Sequence, residues 1–194
     1  MAVTAKGTPY VESSDLVANY PGTSLALANH IDGLDGGKVL QVVSVLKSDT
    51  FTLTNASFTE VTGLSVAITP ASIASRILIL VNVAGQRVNT NAVIGRFSVF
   101  RNGVNLIAPT SPGSRTPSFV SGVRSGDTNG GSNMESYCFT YLDSPASISA
   151  QTYAIRCRNG GGADVTYVNR TEVDSNNDSF GRGVSSIILM EVAA

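Results

Sequence analysis

The stretch RILILVNVAG, Arg76 to Gly85, decides the fold. It is apolar almost throughout, carries β-branched residues at Ile77, Ile79, Val81 and Val83, and ends at a glycine. Such a short run with no helical period reads as a central strand buried on both faces of a sheet. Working outward, VLQVVSVL (39–46), DTFTLT (49–54) and LSVAITP (64–70) are further strands bounded by turn formers. On the other side, FSVF (97–100) runs into Asn102-Gly103, the strongest two-residue hairpin signal in the chain, with VNLIA (104–108) as its return strand. A strand around 119–123, then ESYCFTYLD (135–143), TYAIRCRN (152–159), DVTYVNR (164–170) and VSSIILMEV (184–192) complete the series.

This succession of strands, with no convincing helical period after residue 37, predicts an all-β head: an antiparallel β-sandwich of two sheets. A jelly roll is the expected form, because the first and last strands of the head are both strongly apolar and can pair centrally. An immunoglobulin-like sandwich fits less well. There is no tryptophan, and Cys138 and Cys157 are too close in sequence for that fold's bridge between sheets.

The first 37 residues are a different object, a short extended and helical arm ahead of the 38–194 head. Pro9 and Pro21 bracket a segment with room for only one or two helical turns near Asp15 to Ala18, which Tyr20-Pro21 would stop. A second helix starts at Thr23 or Ser24. Its Leu25, Leu27, Ala28, Ile31 and Leu34 form one apolar stripe, and Gly33, Gly36 and Gly37 end it. A lone helix of that length is marginal in water, so the stripe needs a cover, either the head or the same helix of neighbouring chains.

Composition narrows the function. Charged residues make up 14% of the chain and the formal net charge is -1. That balance argues against electrostatic capture of nucleic acid or of an anionic membrane. It suits either a surface solvated by Ser, Thr and Asn or one partly covered by another chain. No signal peptide is legible at the start and no apolar run approaches the ~20 residues of a membrane span, so synthesis in a cytoplasm is expected. Cys138 and Cys157 lie outside any metal-ligand spacing. Two free thiols are the default expectation, with a cross-strand disulfide as the alternative.

The chemistry search finds no catalytic set, and no metal or cofactor is expected. His30 is the only histidine and lies on the arm helix, without a metal-ligand partner in its spacing. No GxSxG elbow is present, and Gly160-Gly161-Gly162 lacks the helix and Lys of a phosphate loop. Asp174 to Asp178 offers oxygens at alternate positions but lacks the glycine and glutamate of a calcium loop, and reads as a solvated turn. A hydrolase or small-ligand sandwich stays open as a reading of another class.

The arm TPYVESSDLVANYPGTSLALANHIDGL resembles the N-terminus of bacteriophage virion proteins, particularly fibre-like and surface proteins of phages of cyanobacteria. The features SFTEVTGLSVAITP, FSVFRNG, YLDSP and SSIILMEV resemble the trimeric jelly rolls of such proteins, akin to the tumour necrosis factor and C1q-like fold. The resemblance implies a non-enzymatic homotrimer on the virion surface, assembled in the host cytoplasm. The arm would attach it to a capsid or tail protein through Tyr10, Val11, Leu16, Val17 and Tyr20, and Leu25, Leu27, Ala28, Ile31 and Leu34 would form the trimer helix. No repetitive shaft separates arm from head, which favours a capsid decoration or cement protein. The rival is a short tail or head fibre whose loops 108–117, 125–133 and 171–183 bind a host-surface glycan.

Overall fold

The computed structural model describes residues 2–3, 9–10, 20–32, 37–88, 95–107, 113–121, 134–160 and 165–194. In the arm, β1 (Ala2–Val3) pairs antiparallel with β2 (Pro9–Tyr10), and α1 spans Tyr20–Asp32. The helix therefore starts earlier than its apolar stripe suggests. Tyr20-Pro21 opens it instead of stopping one, because a proline in the first helical turn gives up an N–H that has no intrahelical acceptor. The turn expected near Asp15 to Ala18 lies outside the described residues.

The head begins with β3 (Val39–Lys47), β4 (Phe51–Leu53), β5 (Thr59–Ile68) and β6 (Arg76–Val88). Next come β7 (Arg96–Arg101), β8 (Val104–Asn105) and β9 (Val120–Ser121). It closes with β10 (Glu135–Asp143), β11 (Gln151–Arg158), β12 (Val165–Val168) and β13 (Ser185–Val192). One sheet has β13 between β3 and β6, with β10 on the far edge of β6; beyond Asn82 the β13 side of β6 passes to β12, which carries β4. The other sheet runs β5, β11, β7, with β8 and β9 both on the free side of β7. All pairings are antiparallel. Taking β3, β5, β6, β7, β8, β10, β11 and β13 in chain order, the first sheet holds the first, eighth, third and sixth strands. The second holds the second, seventh, fourth and fifth. That interleaving is a jelly roll.

Alternation along each strand builds the core. Ile77, Ile79, Val81 and Val83 of β6 and Ile187 and Leu189 of β13 face Val61, Leu64, Phe97, Val99, Tyr153 and Ile155 of the second sheet. Each such side chain contributes about 1.5–3 kcal/mol by leaving water. Phe119 adds to this layer, stacked on Phe139 with ring centroids 5.0 Å apart and edge-on to Tyr141 at 5.4 Å. The hairpin turn forms at Asn102 and Gly103, both with positive φ (48° and 84°), as a two-residue I′ turn requires. The return strand β8 is shorter than expected: its last rung is the Leu106 N–H on the Val99 carbonyl, after which the Ile107 N–H turns to Asn105 Oδ1.

Asn169, at φ 60°, pins the point where β6 changes partner. Its amide nitrogen donates to the Lys47 and Asp49 carbonyls at 2.8 and 2.9 Å, and its side-chain oxygen accepts from Ser185 Oγ at 2.6 Å. Gly85 sits at the same place. A β-carbon there would lie 2.7 Å from the Tyr167 carbonyl oxygen, so only glycine lets β12 approach.

Candidate assembly face

The strand Arg76–Val88 is central, as its composition implies, but only one of its faces is buried in the core. Leu78 and Leu80, on the opposite parity, are half-exposed. They belong to an outer face on which four strands align in register. One row across the sheet is Val42, Met190, Leu78 and Leu142. The next is Ser44, Ile188, Leu80 and Thr140, and the third is Leu46, Ser186, Asn82 and Cys138. None of these twelve residues is charged. Val42 is 53% exposed, Leu46 70% and Leu142 43%.

Arg76, exposed at the start of β6, flanks these rows on the same parity; the other charges of this sheet are elsewhere. Lys47, Asp143 and Glu191 point to the inner side and are nearly or fully buried, each with a partner. Lys47 Nζ pairs with Asp49 at 2.7 Å, and the Asp49 carboxyl is held below its ordinary range by that hydrogen bond. Asp143 Oδ2 accepts from Arg101 Nη1 at 2.6 Å and from the Tyr153 hydroxyl at 2.7 Å, tying the two sheets together at one end. Burial, reinforced by the neighbouring carboxylate, pushes the Tyr153 phenol well above its usual range. By contrast, the outer parity of the second sheet carries Glu60, Arg96, Arg156 and Arg158. Arg156 lies over the Phe100 ring at 4.6 Å. The two outer surfaces thus differ in kind: one is solvated by charge, the other is apolar and neutral over these three rows.

Glu191 makes the sandwich sensitive to acid. Burial pushes its carboxyl up, but hydrogen bonds from Gln41, Ser75 and the Ala71 N–H outweigh this and hold it below the usual carboxylate range. A group whose folded pKa is depressed releases its proton more readily when folded. Its stabilisation is present above the unfolded pKa of about 4.3 and is lost as pH falls through the lower folded value. Melting curves should show Glu191→Gln less stable than wild type at pH 7, with the gap narrowing between pH 4.5 and 3. A gap independent of pH would contradict this assignment.

Of the arm residues read from sequence, Tyr10 lies in β2 and Tyr20 opens α1, while Val11, Leu16 and Val17 lie outside the described residues. On the helix, Leu25 is 62% exposed and Leu27 half-buried; Ala28 and Ile31 belong to α1, and Leu34 is outside the described residues. Of the loops, 108–112 of 108–117 and all of 125–133 also lie outside them. The loop 171–183 is described. Its shallow concavity is lined by Asp174, Ser175, Asn176, Asn177, Phe180 and Arg182, and Arg182 and Arg170 hold the Asp174 carboxylate at 2.7 and 3.5 Å. Two guanidinium groups on that carboxylate make a braced turn and a poor cation site.

Cys138 is exposed on the outer face, its thiol 3.2 Å from Asn82 Oδ1, whereas Cys157 is buried in β11 of the other sheet, so both are free. Burial pushes the Cys157 thiol up to about 12. Among the described residues no group of three or more His, Cys, Asp or Glu side chains is placed to hold a metal, and no helix is long and apolar enough to cross a membrane. The outer face went unread in the sequence as a surface. Its signal was present, since β3, β6 and β13 are apolar on both parities.

No family model and no curated protein matches the chain. Solved structures similar to it come from infectious bursal disease virus. The structure of the Gx strain is 14% identical over 79% of this chain, with a TM-score of 0.40. The virus-derived T=1 particles give 12% and 0.38, and the VP2 subviral particle 13% and 0.39, each again over 79% of this chain. The chain spans 37% of the length of the first of these and 36% of the second. The expected kinship with cyanophage surface proteins is therefore corrected: the similar structures are of a bursal disease virus, not of a bacteriophage.

Proposed function

We propose that the chain is a non-enzymatic structural subunit of a virus particle, a homotrimer whose head stands at the particle surface and whose arm, residues 1–37, attaches it to the capsid. The observation that carries this reading is the three uncharged, largely apolar rows on the outer face of the β3, β13, β6, β10 sheet. A monomer in water gains nothing by leaving such a face open, whereas a subunit that packs against its own copies buries it. The jelly-roll topology supports it, since capsid domains are a common use of that sandwich. In the arm, Leu25, Leu27, Ala28, Ile31 and Leu34 gather the three helices. Tyr10, Val11, Leu16, Val17 and Tyr20 supply the apolar contacts to the capsid.

Light scattering on the intact protein tests the first half, with about 60 kDa expected from a 20.1 kDa chain. A monomer at micromolar concentration would overturn it. Removal of residues 1–37 tests the second half: the head should stay folded and soluble but no longer join particles, and undiminished incorporation would refute the arm's role.

A further inference from the structure

We infer that the end of the head from which the arm leaves makes a second contact with the capsid, through two copies of one loop motif. Pro-Ala-Ser-Ile stands at 70–73 and again at 145–148, within the uncharged segments TPASIAS (69–75) and SPASISA (144–150). The first joins β5 to β6 and the second joins β10 to β11. Because β10 pairs with β6 and β11 with β5, the two crossings lie side by side in opposite directions. Asp143 stands opposite Ile77, and Gln151 opposite Ile68. In each loop the motif serine turns the chain in the same way: Ser72 Oγ accepts from the Ala74 N–H at 3.2 Å, and Ser147 Oγ from the Ser149 N–H at 3.0 Å. The copies differ at the alanine, since Ala146 has a positive φ of 49° that Ala71 lacks. Both nonetheless leave the isoleucine in the open, Ile73 at 67% and Ile148 at 60% exposure.

Turn chemistry accounts for the proline and the serine, but not for the isoleucine. Single exposed apolar side chains are ordinary, whereas several gathered at one place mark a contact surface. The Asn102-Gly103 hairpin joins this end through the Asn102 amide, which donates to Gln151 Oε1 at 2.9 Å, and it adds Val104 at 68% exposure. The opposite end of the head, reached along β3, is different in kind. Asp49, Asp174, Asp178 and Arg182 are exposed there, and its open large apolar side chains are Leu46, on the sheet face, and Val184.

The root of the arm identifies the occupant. The Gly37 N–H donates to the Ala193 carbonyl at 3.1 Å, and the Ala193 N–H to the Lys38 carbonyl at 2.8 Å. The first loop is tied to the same corner by the Ala71 N–H, which donates to Glu191 at 2.7 Å. A capsid surface that holds the arm is therefore brought against the paired loops. This inference rests on the arm reading above and adds the chemistry of a second contact. Lys38 and Arg76 are exposed at its rim, while the carboxylates of this end, Asp143 and Glu191, are buried. The matching capsid surface is an apolar patch edged by carboxylates.

Rebinding of the full-length protein to particles assembled without it provides the test. Ile73→Ser and Ile148→Ser should each weaken rebinding at least about tenfold, and the double variant about a hundredfold, because each removes most of an isoleucine from the contact. Arg76→Glu should weaken it as well, and Val184→Ser, at the other end, should rebind as wild type does. Circular dichroism and light scattering should be unchanged in every variant. If Ile73→Ser/Ile148→Ser rebinds as tightly as wild type while removal of residues 1–37 abolishes rebinding, the loop contact is overturned and the arm reading stands. Undiminished rebinding of both would overturn the two readings together. A double isoleucine variant that scatters as a monomer would place the loops between copies of the chain and also overturn the capsid contact.

Discussion

Replacement of Asp143 by alanine is expected to be the most damaging single change in the head, lowering stability by about 2–4 kcal/mol. Asp143 is the last residue of β10 in one sheet, and its Oδ2 receives hydrogen bonds from Arg101 and Tyr153 of the other. Tyr153 is fully buried, so its hydroxyl would lose its acceptor in a place water does not reach. Arg101 keeps 27% of its side chain exposed and can rehydrate in part, which holds the loss below that of a fully buried pair. For a head of this size the change corresponds to a fall in melting temperature of roughly 5–15 °C. Tyr153→Phe is the informative comparison. It removes the donor but leaves the ion pair, so it should cost only about 1 kcal/mol. If Asp143→Ala and Tyr153→Phe were equally mild, the node would be an accessory to the sandwich instead of a tie between its sheets.

That node is also a place where local reading stops. The strand ESYCFTYLD was legible to the residue, because Tyr137, Phe139 and Tyr141 alternate with short or polar neighbours and turn formers bound the run. Asn102-Gly103 was legible for a similar reason, since two consecutive positive-φ residues have few uses besides a hairpin turn. Asp143 and Glu191 were not. On pattern alone a carboxylate at a strand end belongs in water, yet Glu191 shares the inner parity of Ile187 and Leu189 and is fully buried. Its partners, the Ala71 N–H and Gln41, lie 120 and 150 positions away, beyond any periodicity. The helix start was missed because Tyr-Pro stops a helix when it follows and opens one when it leads, and only the backbone distinguishes the two.

The outer face failed for a subtler reason. Strand Arg76–Val88 is apolar on both parities, and the simplest account is burial on both faces by its own chain. Among the described residues the second face has no cover. Sequence pattern registers that a surface is made for contact, but it does not say whether the contact is intramolecular. The same limit applies to α1, where Leu25 lies 62% exposed on a helix whose stripe was read as needing a partner.

Paired glutamates on that face should therefore separate folding from assembly more sharply than any other change. Val42 and Leu142 close the two ends of the row through Met190 and Leu78, and at 53% and 43% exposure their replacement barely touches the core. In Val42→Glu/Leu142→Glu the isolated subunit should lose no more than about 1 kcal/mol, because both carboxylates can stay hydrated. Assembly would bring those carboxylates against apolar rows whose nearest cation on that parity, Arg76, stands one row beyond them at the start of β6. Each unpaired buried charge costs about 2–5 kcal/mol at an interface, so the dissociation constant should rise at least about a thousandfold. Sedimentation at micromolar concentration should then find a folded monomer. Ala67→Glu, on the outer parity of β5 in the charged sheet, is the matched control and should leave association unchanged. If the double variant stayed assembled and the control dissociated, the contact would belong to the second sheet. The neutral face would then need a different occupant.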